Sequence, residues 1–121
     1  MDWKWNGTEP VFFQLARGLR TEILRGTYAP GTQIPTVRQL AAEATVNPNT
    51  VQRALSLLEE EGLVHSNGTQ GRFVTEDEEM LQAARIAERR QVLRQLLEGA
   101  KALGISREEI LEFLREEQVH E

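Results

Sequence analysis

The chain has 121 residues, 40% of them hydrophobic, and a formal net charge of -5. That length buries one core plus an appended element rather than two full domains, so a large ligand-sensing domain is not expected within it. Cysteine is absent, which removes disulfides and thiolate metal sites and fits a reducing compartment.

In chain order, "MDWKWNG" reads as a packed N-terminal arm built on Trp3 and Trp5. A first helix opens at Pro10, with Phe12, Leu15, Ala16, Leu19 and Ile23 at helical spacing, and ends at Gly26 and "YAPGTQIP". Thr36 is placed to cap a second helix, with Val37, Leu40 and Ala41 inward and Arg38 and Gln39 more exposed. A tight turn follows between Ala44 and Pro48.

Pro48 fixes the start of the third helix, because the first helical position needs no N–H and the locked φ suits it. Asn47 then falls at the N-cap, where its side-chain oxygen accepts from a backbone N–H two or three residues on. At about 100° per residue, Val51, Ala54, Leu55 and Leu58 share the inner face, while Asn49, Gln52, Arg53 and Ser56 gather on the outer one. Asn and Gln can pair bidentately with adenine and Arg with guanine, and a helix fits the major groove of B-DNA. A merely solvated polar face is the competing reading. Two short helices joined by such a turn make a helix-turn-helix.

After Gly62, "LVHSN" and "GRFVT" are short strand-like runs around "GTQ", with Asn67-Gly68 as a turn signal. They form a hairpin that Val64 and Phe73 pack onto the helices. The last third predicts a long helix from Glu78 to about Leu103, carrying Met80, Ala84, Ile86, Ala87, Val92, Leu93, Leu96, Leu97, Ala100 and Leu103. Ser106 and Glu109 form a capping box that opens a final helix with Ile110, Leu111, Phe113 and Leu114. Apolar residues on so many faces call for burial against a partner, so a twofold dimer through residues 80–119 is expected. An intramolecular helical hairpin packed on the preceding domain is the alternative.

The fold class expected is mainly α: a winged helix-turn-helix domain with a small β-hairpin wing over residues 1–75, then a two-helix dimerisation segment over 76–121. Charge follows the same division. Residues 1–75 carry seven acids and seven bases, and residues 76–121 carry twelve acids and seven bases. A neutral front is compatible with nucleic-acid binding by a local patch, because what counts is the charge facing the phosphates. The acidic "TEDEE" and "LREEQ" would keep the tail off DNA.

Pro30-Gly31, Pro35-Thr36-Val37-Arg38, Thr50-Val51-Gln52-Arg53-Ala54, Gly62-Leu63 and Gly71-Arg72-Phe73-Val74 occur in this order without a large gap. The series resembles the winged-helix domain of the GntR family over roughly residues 10 to 75. "VNPNTV" and the short tail resemble its YtrA-type subfamily, whose members end in a small helical dimerisation segment. The resemblance implies DNA contact by Arg38, by Asn47, Asn49 and Thr50 opening the third helix, by Gln52 and Arg53 a turn further, and by Gly71 at the wing tip. Thr36, Gln70 and Arg72 complete the expected set. Two departures stand out: Pro48 replaces an early arginine of other subfamilies, and Arg72 is the wing's only base in "SNGTQGR". For Arg38 an ion pair with Glu43 remains the competing assignment.

The resemblance thus implies a homodimeric regulator, a repressor that occupies an inverted-repeat operator, commonly beside transport genes. A small-molecule effector, if one exists, has only the cleft between the winged domain and the tail helices, or the dimer interface. A winged-helix adaptor that binds a protein is the alternative function. No cofactor or metal is expected: His65 and His120 lack partners at ligand spacing, and no catalytic constellation or phosphate-cradling loop occurs. With no signal peptide or membrane-spanning run, a soluble cytoplasmic protein is expected.

Overall fold

In the computed structural model, which describes residues 3–117, five helices and one hairpin follow one another as α1 (Val11–Arg25), α2 (Val37–Ala44), α3 (Pro48–Glu60), β1 (Val64–Ser66), β2 (Arg72–Val74), α4 (Glu78–Ala102) and α5 (Arg107–Glu117). They divide into two compact units, the first ending at Ala84 and the second starting at Arg85. His120 and the end of the expected dimer segment, 118–119, lie outside the described residues.

The helix ends of the first unit are set by local chemistry. Gly26 sits at φ 90°, its N–H donates to the Ile23 carbonyl at 3.1 Å, and the Thr27 N–H reaches the Glu22 carbonyl at 3.0 Å. This left-handed cap satisfies carbonyls that the last turn leaves open. Thr36 and Gln39 form a reciprocal capping box: the Gln39 N–H donates to Thr36 Oγ1 at 3.1 Å and the Thr36 N–H to Gln39 Oε1 at 2.9 Å. Between α2 and α3 the chain turns through Thr45, the one described non-glycine residue with positive φ, at 55°. Asn47 Oδ1 then accepts from the Asn49 N–H at 2.7 Å, with Pro48 as the first helical residue.

α1 packs chiefly on α3, and α2 packs on α3 as well. Leu15, Leu19, Ile23, Leu40, Val51, Leu55 and Leu58 are all buried at this junction. Each such side chain contributes about 1.5–3 kcal/mol relative to an exposed one. The N-terminal arm lies on this core. Trp3 and Trp5 stack at 5.4 Å, and the Trp3 ring occupies the space beside Gly18 where a Cβ would come within 2.5 Å of it.

β1 and β2 pair antiparallel with Val64 opposite Val74, His65 opposite Phe73 and Ser66 opposite Arg72. A third line of backbone joins them where a plain loop is expected from sequence. The Gly31 N–H donates to the Val74 carbonyl at 2.9 Å, the Val74 N–H to the Thr32 carbonyl at 2.9 Å, and the Ile34 N–H to the Arg72 carbonyl at 3.0 Å. The hairpin edge is thereby covered, which a bare two-stranded ribbon would lack. Val64 and Val74 are buried, and Phe73 is half-buried with its ring alongside His65.

The first unit continues past residue 75 because Leu81 is buried in its core, with Met80 and Ala84 packed against that core. The second unit holds the rest of α4 and α5. Gly104 at φ 70° breaks the two helices apart, and the Ile105 N–H returns to the Ala100 carbonyl at 2.9 Å. Ser106 and Glu109 make both bonds of the expected capping box, at 3.1 and 3.2 Å.

Candidate nucleic-acid interface

The capped start of α3 sets the rotation of every outward side chain on that helix. With Val51, Ala54, Leu55 and Leu58 buried, Asn49, Gln52, Arg53 and Ser56 are exposed on the opposite side. Thr50 is half-buried, and Asn47 is exposed with its oxygen committed to the cap. A shallow groove of about 500 Å³ runs along this surface, lined by Phe12, Asn49, Gln52, Arg53, Ser56, Leu57 and Glu60. Amide donors and acceptors, a guanidinium and a hydroxyl therefore share one open face, the mixture that base edges in a major groove require.

Arg38 is exposed on α2 and makes no hydrogen bond or ion pair with any described residue, so the pairing with Glu43 does not form. Arg53 likewise has no polar partner among the described residues; its Cζ stands 3.9 Å from the centroid of the Phe12 ring. Thr36 is exposed, with its hydroxyl engaged in the α2 cap.

The wing tip is a single 3-10 turn over Gly68–Gln70. Gly71 follows at φ 105°, and a Cβ there would come 2.7 Å from Gln33 Nε2. Gln33 donates from that nitrogen to the Gln70 carbonyl at 2.7 Å, and Asn67 donates from its side chain to Gln70 Oε1 at 3.2 Å. Arg72 behaves differently from the other expected contacts: its Nε donates to Glu59 Oε1 near the end of α3, and Ser66 Oγ reaches the same oxygen at 3.2 Å. Sequence reading missed Gln33, Glu59 and the role of Phe12. Each acts through a partner distant in the chain, and no local pattern announces it.

Among the described residues no group of three or more His, Asp or Glu side chains is arranged to hold a metal ion. No helix among them is long and apolar enough to cross a membrane.

The model of the bacterial regulatory proteins of the gntR family matches residues 14–74, half of the chain. It belongs to the GntR family. YhcF of Bacillus subtilis, an HTH-type transcriptional regulator, is 33% identical over 95% of this chain and 95% of its own length. The HTH-type transcriptional repressor YtrA of the same organism is 30% identical over 88% of this chain and 83% of its own. A GntR family transcriptional regulator from Listeria monocytogenes superposes with a TM-score of 0.85 at 29% identity, covering 96% of this chain and 100% of that one. The DNA-binding domain of AraR, solved in complex with operator ORE1, gives a TM-score of 0.55 at 25% identity over 62% of this chain and 94% of its own. This GntR protein is accordingly a DNA-binding transcriptional regulator with a winged-helix domain, similar to YtrA-type members along most of its length, and not an enzyme.

Proposed function

We propose that this GntR protein is a homodimeric repressor that occupies an inverted-repeat operator in the cytoplasm. The observation that carries the reading is the outer face of α3, where Asn49, Gln52 and Arg53 stand exposed beside a capped helix start. Arg38, exposed on α2 with no polar partner among the described residues, is assigned to the phosphate backbone. The helix N-terminus at Asn47 and Thr50 favours an anionic oxygen by its dipole. Gln70 and Gly71 are assigned to the wing's approach to the backbone.

Affinity is the reason for the dimer. A single recognition helix reads only a few base pairs, at about 1–3 kcal/mol for each good bidentate contact. Two copies related by a twofold axis read two half-sites spaced by whole helical turns, about 34 Å each. The second unit supplies a surface suited to that pairing: Val92, Leu93, Leu96, Leu97, Leu103, Leu111, Phe113 and Leu114 are between 47% and 80% exposed in the single chain. Ala87 is exposed and Ile110 half-buried beside them. Met80 and Ala84 are committed to the first unit's core and contribute to the interface least. Similarity to YtrA of Bacillus subtilis, an HTH-type transcriptional repressor, supports the repressor role.

Selection of bound duplexes from a random pool tests the reading. An inverted repeat whose retardation is salt-sensitive is expected. Enrichment of no sequence at low salt would overturn it in favour of a protein-binding adaptor.

A further inference from the structure

Phe12 packs against the core from α1 at the helical spacing expected, and its ring also forms part of the groove wall beside the outer face of α3. The Arg53 guanidinium lies over that ring at 3.9 Å, and the ring itself stacks on Phe13 at 4.4 Å with 27° between the planes. Arg53 has no polar partner among the described residues. We infer that Phe12 is a positioning residue for base reading, which seats the Arg53 guanidinium over its ring so that the arginine's N–H donors stay available to the DNA. The inference rests on the operator-binding function proposed above and adds to it the means by which Arg53 is aimed.

The chemistry favours this division of labour. Stacking uses the face of the guanidinium and leaves its in-plane N–H donors free, and those are the groups that pair bidentately with guanine O6 and N7. A long flexible side chain held by a ring loses less freedom when it meets its base than one waving in water. Phe12 also sits on α1, which packs on α3 through the buried Leu15, Leu19 and Leu55 side chains, so the seat is fixed to the same rigid body as the recognition helix. A carboxylate partner would hold the arginine too, but by occupying its N–H donors.

The test uses the full chain and the duplex selected from the random pool, with equilibrium binding and a thermal melt for each variant. Phe12→Leu is expected to weaken binding by about threefold and to relax base preference at the same half-site position as Arg53→Ala does. Phe12→Tyr, which keeps the ring, should restore both. The double variant Phe12→Leu/Arg53→Ala should bind as Arg53→Ala alone. Because Phe12→Leu also alters packing, a series of fluorinated phenylalanines at position 12 provides a readout that shape alone does not move. Each fluorine drains the ring face, so affinity should fall step by step while the melting temperature holds. Independent losses in the double variant, unchanged base preference, a flat fluorine series or tighter binding without the ring would each overturn the inference and leave the operator reading intact. Failure of wild-type protein to select any duplex would overturn both.

Discussion

Arg72 in the wing donates from Nε to Glu59 Oε1 near the end of α3, and the two side chains are only 18% and 33% exposed. The wing's one base is thus engaged by a carboxylate of α3. Such a partly exposed pair is worth about 0–1 kcal/mol in stability, so its larger effect is on DNA. Glu59→Gln keeps the size and removes the charge. Operator affinity should rise about threefold, and the salt dependence should steepen by up to about one phosphate contact. Titration at several salt concentrations checks this; weaker binding would mean that the pair holds the wing in its productive place.

Gly71 is required by backbone shape and by space. At φ 105° and ψ -155°, with a Cβ 2.7 Å from Gln33 Nε2, alanine is disfavoured by about 1–3 kcal/mol and must push the Gln33 side chain off the Gln70 carbonyl. Gly71→Ala should therefore lower operator affinity and reduce the melting temperature by several degrees. An unchanged melt together with unchanged binding would contradict the wing geometry.

Thr45 holds a left-handed conformation at φ 55° that β-branched residues rarely adopt. Thr45→Gly should relieve about 1 kcal/mol, raising the melting temperature by roughly 4–8 °C for a unit of this size. DNA binding should be unaffected, since Asn47 and not Thr45 caps α3.

Leu97 is 58% exposed on α4, within the apolar surface of the second unit. Leu97→Glu should shift the protein toward monomer in sedimentation velocity and weaken operator binding at least tenfold. The first unit's melt should stay within about 0.5 kcal/mol of wild type, as for a surface substitution. Self-association unchanged by this variant would argue against the proposed interface.

Much of this fold was legible because its signals are short in range. Asn47-Pro48 sets the start of α3 through one cap and one ring, and Ser106 with Glu109 sets α5 in the same way. The outward face of α3 followed from helical period alone. What escaped depends on pairings across the chain. "TQI" is too short between Pro30-Gly31 and Pro35 to read as a strand, and only its backbone bonds with Arg72 and Val74 set it beside the hairpin, as an isolated bridge of Gln33 with Phe73. Helical spacing marked Met80 and Ala84 as apolar and placed them in the dimer segment, whereas Leu81 between them is buried in the first unit's core and both pack against that core. Nothing local marks the roles of Glu59 and Phe12, since their partners Arg72 and Arg53 are brought near only by folding.

Methylation interference on the selected duplex tests the central claim most directly. Guanine N7 methylation should block binding in two major-groove segments, mirrored and separated by one or more turns, with the interference at the Arg53-contacted guanines lost in Arg53→Ala and general affinity reduced in Arg38→Ala. A single blocked segment, or a pattern and affinity indifferent to both substitutions, would contradict the account.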